Sequence, residues 1–291
     1  MSLFKKFIPA DPSRISITAH LTGYSWYARN MSHESLVTRR GRLLYYLFLP
    51  WMWIGRKVFG LSDLISGLEQ RHLIIDCLLE KAVRENGVRQ IVELACGFSP
   101  RGYRFMENHQ DMGITYIEAD LPNMANRKYN VLKKAGLLSK GHKIIPCNIL
   151  IDEGELCLKN LAAKYLDPTV PTVVITEGII NYFDPKTIKG VWRRIGEIFN
   201  EGSGGIYLTD NLPLQKEHAC FVLLDMFIKI MGVLSRGKLF YHFQSDDEAK
   251  ATFKSLDFST INTYRPEYFY KTLPIPQSRL PGFIRVIEAS I

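Results

Sequence analysis

The stretch VELACGFSPRGYRF, Val92 to Phe105, decides the fold. Its first residues read as the end of a buried strand, its centre as a turn, and a helix begins near Arg101. Junctions of this kind are where open α/β sheets take nucleotides. Two features depart from the usual pattern. The turn holds Gly97 and Gly102 but no full G-x-G-x-x-G, and a carboxylate, Glu93, stands inside the strand end.

Working outward, the pattern alternates. Ser66 to Asn86 reads as a helix, with Leu68, Ile75, Leu78, Leu79 and Val83 near helical spacing and Gly87 as the stop. QIVELA, ITYIEAD, HKIIPCNIL, TVVITEG and GGIYLTD read as strands. RGYRFMENH, MANRKYNVLKKAGLL, ELCLKNLAAKYL and KTIKGVWRRIGEIF read as the helices between them. Such alternation implies parallel strands joined by crossover helices, a doubly wound α/β sheet. Residues 1–60 form a mostly helical extension, and residues 61–291 the α/β domain. A helical insertion is expected at about 211–256, including a long apolar helix over Ala219–Leu234 and a helix near Asp246 to Leu256. STINTYR and FIRVIEAS are the last strand candidates.

Composition bounds the function. The chain has 291 residues, of which 46% are hydrophobic, enough for a substantial core and too many for a disordered chain. The net charge of +8 is scattered, apart from a small cluster at Arg39, Arg40 and Arg42, so no nucleic-acid partner is expected. Five cysteines without a C-x-x-C read as reduced thiols in a cytoplasmic protein. Seven histidines show no paired ligand spacing, so no metal site is expected. The N-terminal MSLFKKFIPADPSR lacks the apolar run of a signal peptide. LLYYLFLPWMWIG, Leu43 to Gly55, is too short to span a bilayer and contains Pro50.

Ligands sit at the carboxyl ends of such strands. Those ends are Glu93 to Gly97, Asp120, Asn148, Glu177 and Asp210, and four of the five carry a carboxylate. That suits a donor-rich ligand better than a polyphosphate. A dinucleotide lacks its third glycine here, and no G-x-x-x-x-G-K-[ST] occurs. An adenosyl cofactor without phosphates, carrying a ribose diol, an ammonium and a sulfonium, fits the acids. Asp120, ending the second strand, is placed for the ribose hydroxyls.

VELACGFSPRGYRF, YIEADLPNMANRKYNVL, PCNIL and VVITEGIINYFDPKTIKGVW together resemble the S-adenosylmethionine-dependent methyltransferases of the leucine carboxyl methyltransferase family, including its bacterial small-molecule and polyketide O-methyltransferase-like branch. The resemblance covers about residues 66 to 210, and the E-G-x-x-x-Y run from Glu177 to Tyr182 is its most specific part. ISITAHLTGYSWYARN is similar to the N-terminal region of the bacterial relatives. The resemblance implies a Rossmann-like class I methyltransferase sheet of seven strands, the last antiparallel, with residues 1–60 as a helical lid. It implies S-adenosyl-L-methionine as cofactor. Arg71 would bind the cofactor's carboxylate; Ala95 and Gly97 would pass beneath its methionine part. Asp120 and Leu121 would hold the ribose, Asn148 and Ile149 would border the adenine, and Glu177 and Gly178 would lie near the ammonium, with Tyr182 closing that side. Asn148 stands where the family has Asp, and Ser99 where the first loop has Asp.

Each assignment has a plainer counterpart. Arg71, taken alone, reads first as a solvated helix residue, and it is the resemblance that favours the ligand role. Glu93 is open between direct ligand contact and a structural acceptor for loop amides. Asp120 is also a turn former before Pro122, Glu177 a cap, and Tyr182 packing. Asp210 stays unassigned, and His20, His33 and His242 read as structural. A carboxylate acceptor is already ionised at neutral pH and needs no base, whereas a hydroxyl acceptor would. Tyr24, Trp26, Tyr27 and Arg29 are expected to belong to the lid and contact the acceptor, with Arg29 and Tyr182 as positioning candidates. The apolar runs at Leu43–Gly55 and Ala219–Leu234 have three readings, in falling order: core packing, a roof over an apolar acceptor pocket, and contact with a membrane surface flanked by Arg39, Arg40, Arg42, Arg56 and Lys57. The expected activity is O-methylation of a carboxylate, or a hydroxyl, on an apolar and anionic small molecule. The alternatives are a protein C-terminal carboxyl methyltransferase, an NAD(P)-dependent oxidoreductase and a non-catalytic adenosyl-binding protein. The sequence sets no oligomeric state.

Overall fold

The computed structural model describes residues 17–59, 64–214, 225–226, 229, 239–278 and 282–291. Most of the expected apolar helix over Ala219–Leu234 lies outside the described residues. Seven strands form one sheet: β1 Gln90–Leu94, β2 Thr115–Asp120, β3 His142–Pro146, β4 Thr172–Thr176, β5 Gly205–Asn211, β6 Thr260–Tyr264 and β7 Arg285–Ser290. Their order is β3-β2-β1-β4-β5-β7-β6. β1 to β5 are parallel, and β7 runs antiparallel to both β5 and β6. From β1 the chain winds outward through β2 to β3, then returns to β4 and winds the other way. The switch point therefore falls between β1 and β4, where Leu94 pairs with Thr176.

The described helices are α1 Ile17–Ala28, α2 Arg39–Phe59, α3 Leu64–Glu85, α4 Arg101–Asn108, α5 Pro122–Lys134, α6 Leu158–Tyr165, α7 Pro185–Asn200 and α8 Asp246–Lys254. Strand residues alternate between the two faces of the sheet, and each face has its own cluster. Ile74, Leu78, Leu79 and Val83 of α3 pack with Ile91, Tyr116, Val173 and Val286 on one face. Leu158 and Leu161 of α6, Val191 and Trp192 of α7 and Phe253 of α8 pack with Val92, Ile117, Val174 and Tyr207 on the other. β1 and β4 are buried along their whole length, as parallel strands covered on both faces must be.

Caps set where helices begin. Asp184 accepts from the amides of Lys186 and Thr187, with Pro185 in the first helical position, so it starts α7 and leaves Glu177 without that duty. Ser99 accepts from the Arg101 amide at 3.3 Å and fixes the turn into α4.

The extension before the sheet is α1 and α2 joined by a short 3-10 turn, Glu34–Leu36. α1 lies on the turn after β1. A side chain added at Gly23 would meet Phe98 at 2.9 Å, and one at Gly97 would meet Ala19 at 3.6 Å. α2 differs from the core-packing expectation. Leu43, Tyr46, Leu47, Leu49 and Trp53 are 41–63% exposed. No helix among the described residues is long and apolar enough to cross a membrane.

Candidate cofactor site at the β1–β4 switch

β1 and β4 are buried until they end, and the residues at or just beyond the strand tips are half-buried: Ala95, Gly97, Asp120, Asn148, Glu177 and Gly178. Backbone geometry opens these tips. Ala95, Gly97 and Gly178 have φ of 52°, 50° and 70°. Glycine takes this left-handed conformation freely, whereas an alanine there costs about 1–2 kcal/mol. Ala95 is thus a strained residue in the turn after β1, a kind of strain that gathers at ligand sites.

Asp120 is held from both sides. The Gly97 amide donates to Oδ2 and the Leu121 amide to Oδ1, each at 2.7 Å. Burial pushes its carboxyl above the usual range, against the pull of those two amides. A carboxylate can accept about four hydrogen bonds. Two directions therefore remain for a ligand's hydroxyl pair.

Behind the β1 and β4 tips lies an ion network. Arg71 of α3 donates from Nε to Glu177 at 3.0 Å and from Nη1 to Asp210 at 2.9 Å. Asp210 also accepts from the Gly178 amide at 2.5 Å. A side chain at Gly178 would come within 2.5 Å of Nη2 of Arg71, so this glycine is what lets the guanidinium lie against the loop. Arg101, 1% exposed, reaches Glu93 at 2.8 Å, Asp76 at 2.5 Å and Glu177 at 2.6 Å. His72 places Nδ1 2.9 Å from Glu177 and packs its ring against Trp26, tilted by 31° with centroids 4.5 Å apart. Burial alone would raise the Glu177 pKa, yet His72, Arg101 and Arg71 together hold it well below the usual carboxylate range. Burial works against the charge of Arg71, but Asp210 and Glu177 raise its pKa.

Not every expected residue is free at the tips. Glu93 is 1% exposed, and its oxygens accept from Arg101 and from the Tyr116 hydroxyl at 2.8 Å. It is a structural acceptor, correcting the expectation of direct ligand contact. The side chain of Ile149 is buried in the core, so its place at the adenine edge would be a backbone one. Asn148 spends Oδ1 on the Leu150 amide at 3.0 Å, closing the turn after β3.

The residues expected around the acceptor are not gathered in one place. Trp26 is buried against His72. Arg29 forms an ion pair with Glu69 at 2.8 Å, so it is not held open for an anion. Tyr182 sits in the Ile180–Tyr182 turn with Thr18 as partner, and burial raises its phenol pKa. Tyr24 and Tyr27 line a surface cleft of about 430 Å³ with Glu34, Val37, Thr38, Arg39 and Arg42, to which no strand tip contributes. The histidines considered as bases have structural roles. His20 bonds Thr38 at 2.9 Å, and burial, with Arg127 and Arg40 nearby, pushes its pKa down to about 4. His33 accepts from the Ser35 amide, and His242 donates to the Ile180 carbonyl.

Reasoning from sequence missed His72 and Asp76, left Asp210 unassigned at its strand end and did not foresee Arg101 as the hub. The signal was present in α3, where Arg71, His72 and Asp76 interrupt an apolar helix that otherwise packs on the sheet.

Residues 56–196 match the Leucine carboxyl methyltransferase family. The match covers just under half of the chain. A protein from Mycolicibacterium gilvum named "Putative S-adenosyl-L-methionine-dependent methyltransferase" is 31% identical over 157 residues, 54% of this chain and 48% of its own length. One of the same name type from Frankia alni is 30% identical, over 46% of this chain and 44% of its own. The chain thus spans about half the length of the curated relatives it matches. Among solved structures, a Thermobifida fusca protein described as a "putative methyltransferase" aligns over 99% of this chain and 98% of its own with a TM-score of 0.65 and 10% identity. A DUF574 family protein from Streptomyces avermitilis aligns over 94% and 96% with a TM-score of 0.63 and 11% identity. These structural likenesses show the class I methyltransferase fold.

Proposed function

We propose that the chain binds S-adenosyl-L-methionine at the β1–β4 switch and methylates a carboxylate on an apolar small molecule. The observation that carries this reading is Asp120, anchored by the Gly97 and Leu121 amides at a half-buried strand tip with accepting directions left open. That is an acceptor for a ribose diol. The donor set around it fits the rest of the cofactor. Gly97 and Gly178 present bare backbone, and Arg71 lies against Gly178 where a carboxylate would meet its Nη2. Glu177, kept ionised, faces a cationic group, Leu121 lies by the ribose beside Asp120, and Asn148 and Ile149 border the purine. When bound, the cofactor supplies a methyl group made electrophilic by its sulfonium. The chain's own part is alignment and a dry site. The first turn of α1 serves this by lying over Gly97 and reaching Tyr182 through Thr18, as a lid would.

A carboxylate acceptor agrees with the histidines, since His20, His33 and His242 are each engaged elsewhere and none is needed to remove a proton. Calorimetry with S-adenosylmethionine, S-adenosylhomocysteine and NAD tests the cofactor, and a turnover screen of apolar acids against matched alcohols and a C-terminal peptide carboxylate tests the acceptor. Heat with the two adenosyl compounds and methyl ester formation is expected. Tight NAD binding with no heat from either would reject the reading in favour of a hydride-transfer enzyme. Adenosyl binding without turnover of any class would leave only a binding protein.

A further inference from the structure

The exposed face of α2 has no role in methyl transfer at the β1–β4 tips. Leu43, Tyr46, Leu47 and Trp53 recur at the three- and four-residue spacing of one helical face, and all are more than half exposed. Isolated exposed apolar residues are ordinary, but a contiguous row marks an interaction surface. The helix carries Arg39, Arg40 and Arg42 at one end and Arg56 and Lys57 at the other, with no acidic residue in between. Arg39, Arg40 and Arg42 are exposed. The cleft beside them brings Arg39 and Arg42 together with Tyr24 and Tyr27, with Glu34 as its one carboxylate. Row and cleft are continuous, because the Tyr24 hydroxyl bonds the Tyr46 hydroxyl at 3.5 Å.

We propose that α2 docks the protein on an anionic phospholipid surface. Leu43, Tyr46, Leu47 and Trp53 enter the boundary between headgroups and chains, and the cleft takes a lipid phosphate between Arg39 and Arg42. The physical case rests on charge. A helix in the plane of a membrane needs an apolar face bordered by cations, and Trp and Tyr favour the interface because one end of each ring system is polar. A second copy of this chain would bring a second set of the exposed cations Arg39, Arg40 and Arg42 to the same face, so charge disfavours self-pairing and favours an anionic sheet. The inference is independent of the proposed methyl transfer.

The test uses the full chain and floats it with vesicles of phosphatidylcholine alone or with about a third phosphatidylserine, in about 0.1 M and 0.5 M salt. Binding to the anionic vesicles, loss in high salt and weak binding to phosphatidylcholine are expected. Arg39→Gln, Arg40→Gln and Arg42→Gln combined should lower partitioning about 100-fold, at roughly fivefold per cation. Leu47→Gln with Trp53→Gln should lower it by at least about tenfold through lost apolar burial. Binding of S-adenosylhomocysteine by each variant reports an intact fold, and the wild-type salt response needs no variant. Inorganic phosphate competing fully with the vesicles would show a free-anion site and overturn the lipid assignment. So would a dimer in light scattering that dissociates with Leu47→Gln and Trp53→Gln. A monomer that ignores both vesicle types, its face covered by its own chain, would overturn it equally.

Discussion

Replacing Arg101 with Met is the sharpest test of how the site is built. The guanidinium sits within 2.8 Å of Glu93, 2.5 Å of Asp76 and 2.6 Å of Glu177. Methionine keeps much of the packing and removes the charge. Glu177 retains Arg71 and His72, and Asp76 retains Arg104 at 3.9 Å. Glu93 keeps only the Tyr116 hydroxyl. Stripping the partner from a buried ion pair costs about 3–5 kcal/mol. At about 2–4 °C per kcal/mol for a domain of this order, melting should fall by about 6–20 °C. The pH dependence separates charge from packing. The Glu177 pKa is depressed in the folded state, so its contribution is present above the ordinary carboxylate value and is lost as pH falls through the depressed one. Removing Arg101 weakens that contribution. The gap between wild type and variant should therefore be widest near neutrality and narrow below about pH 4, where carboxylates protonate. Thermal melts across pH would show this. A shift below about 2 °C, or one that does not change with pH, would refute the electrostatic account and leave Arg101 a packing residue.

Asp120→Ala should weaken S-adenosylhomocysteine binding about 10–100-fold in calorimetry, the worth of charge-assisted hydrogen bonds to two hydroxyls. Because burial raises the Asp120 pKa, wild-type affinity should begin to fall on acidification above the usual aspartate range. Ala95→Gly relieves a left-handed alanine at a smaller cost in chain entropy, so urea unfolding should show a gain of about 0.5–1 kcal/mol. Glu118 accepts from the buried Lys128 at 2.8 Å, and Lys128 and His142 hold its pKa down to about 2 against burial. Glu118→Gln should cost about 3–5 kcal/mol by urea unfolding, a loss that shrinks as pH falls toward about 2.

The sheet was legible because its signals are local. Apolar runs such as TVVIT stop at Glu177, and Gly87 and Gly136 take positive φ where helices were expected to stop. α2 was harder. Periodicity shows that Leu43, Tyr46, Leu47 and Trp53 share a face, but not whether another element covers that face. In the site, Asp120 could be placed because it ends a strand, and its neighbours follow from the chain direction. Arg101 could not, since its partners Asp76, Glu93 and Glu177 come from three separate elements that only the fold brings together. Arg29 and Trp26 were misjudged for the same reason: Glu69 and His72, which occupy them, lie on a helix some forty residues on.

The structure also changes the electrostatic argument for the ligand. A row of acids at the tips suggested a site that repels phosphate by bare negative charge, but those acids are largely spent on arginines. Glu93, Glu177 and Asp210 are buried against two guanidiniums, Arg71 and Arg101. Asp76 also lies on Arg101, so the carboxylates outnumber the two guanidiniums, and a buried charge without a partner is costly. Desolvation raises the Asp210 pKa, and Glu177 adds to the rise against Arg71, as expected for a carboxylate short of cations. The cluster therefore matches one small cation at the Glu177 side more closely than a diffuse positive cloud. An α-ammonium satisfies it, and a pyrophosphate adds to the excess. On the proposed reading, selectivity for an adenosyl amino acid over a dinucleotide would come from this ion network, and it should weaken in calorimetry if either Glu177 or Asp210 is made neutral while both arginines stay.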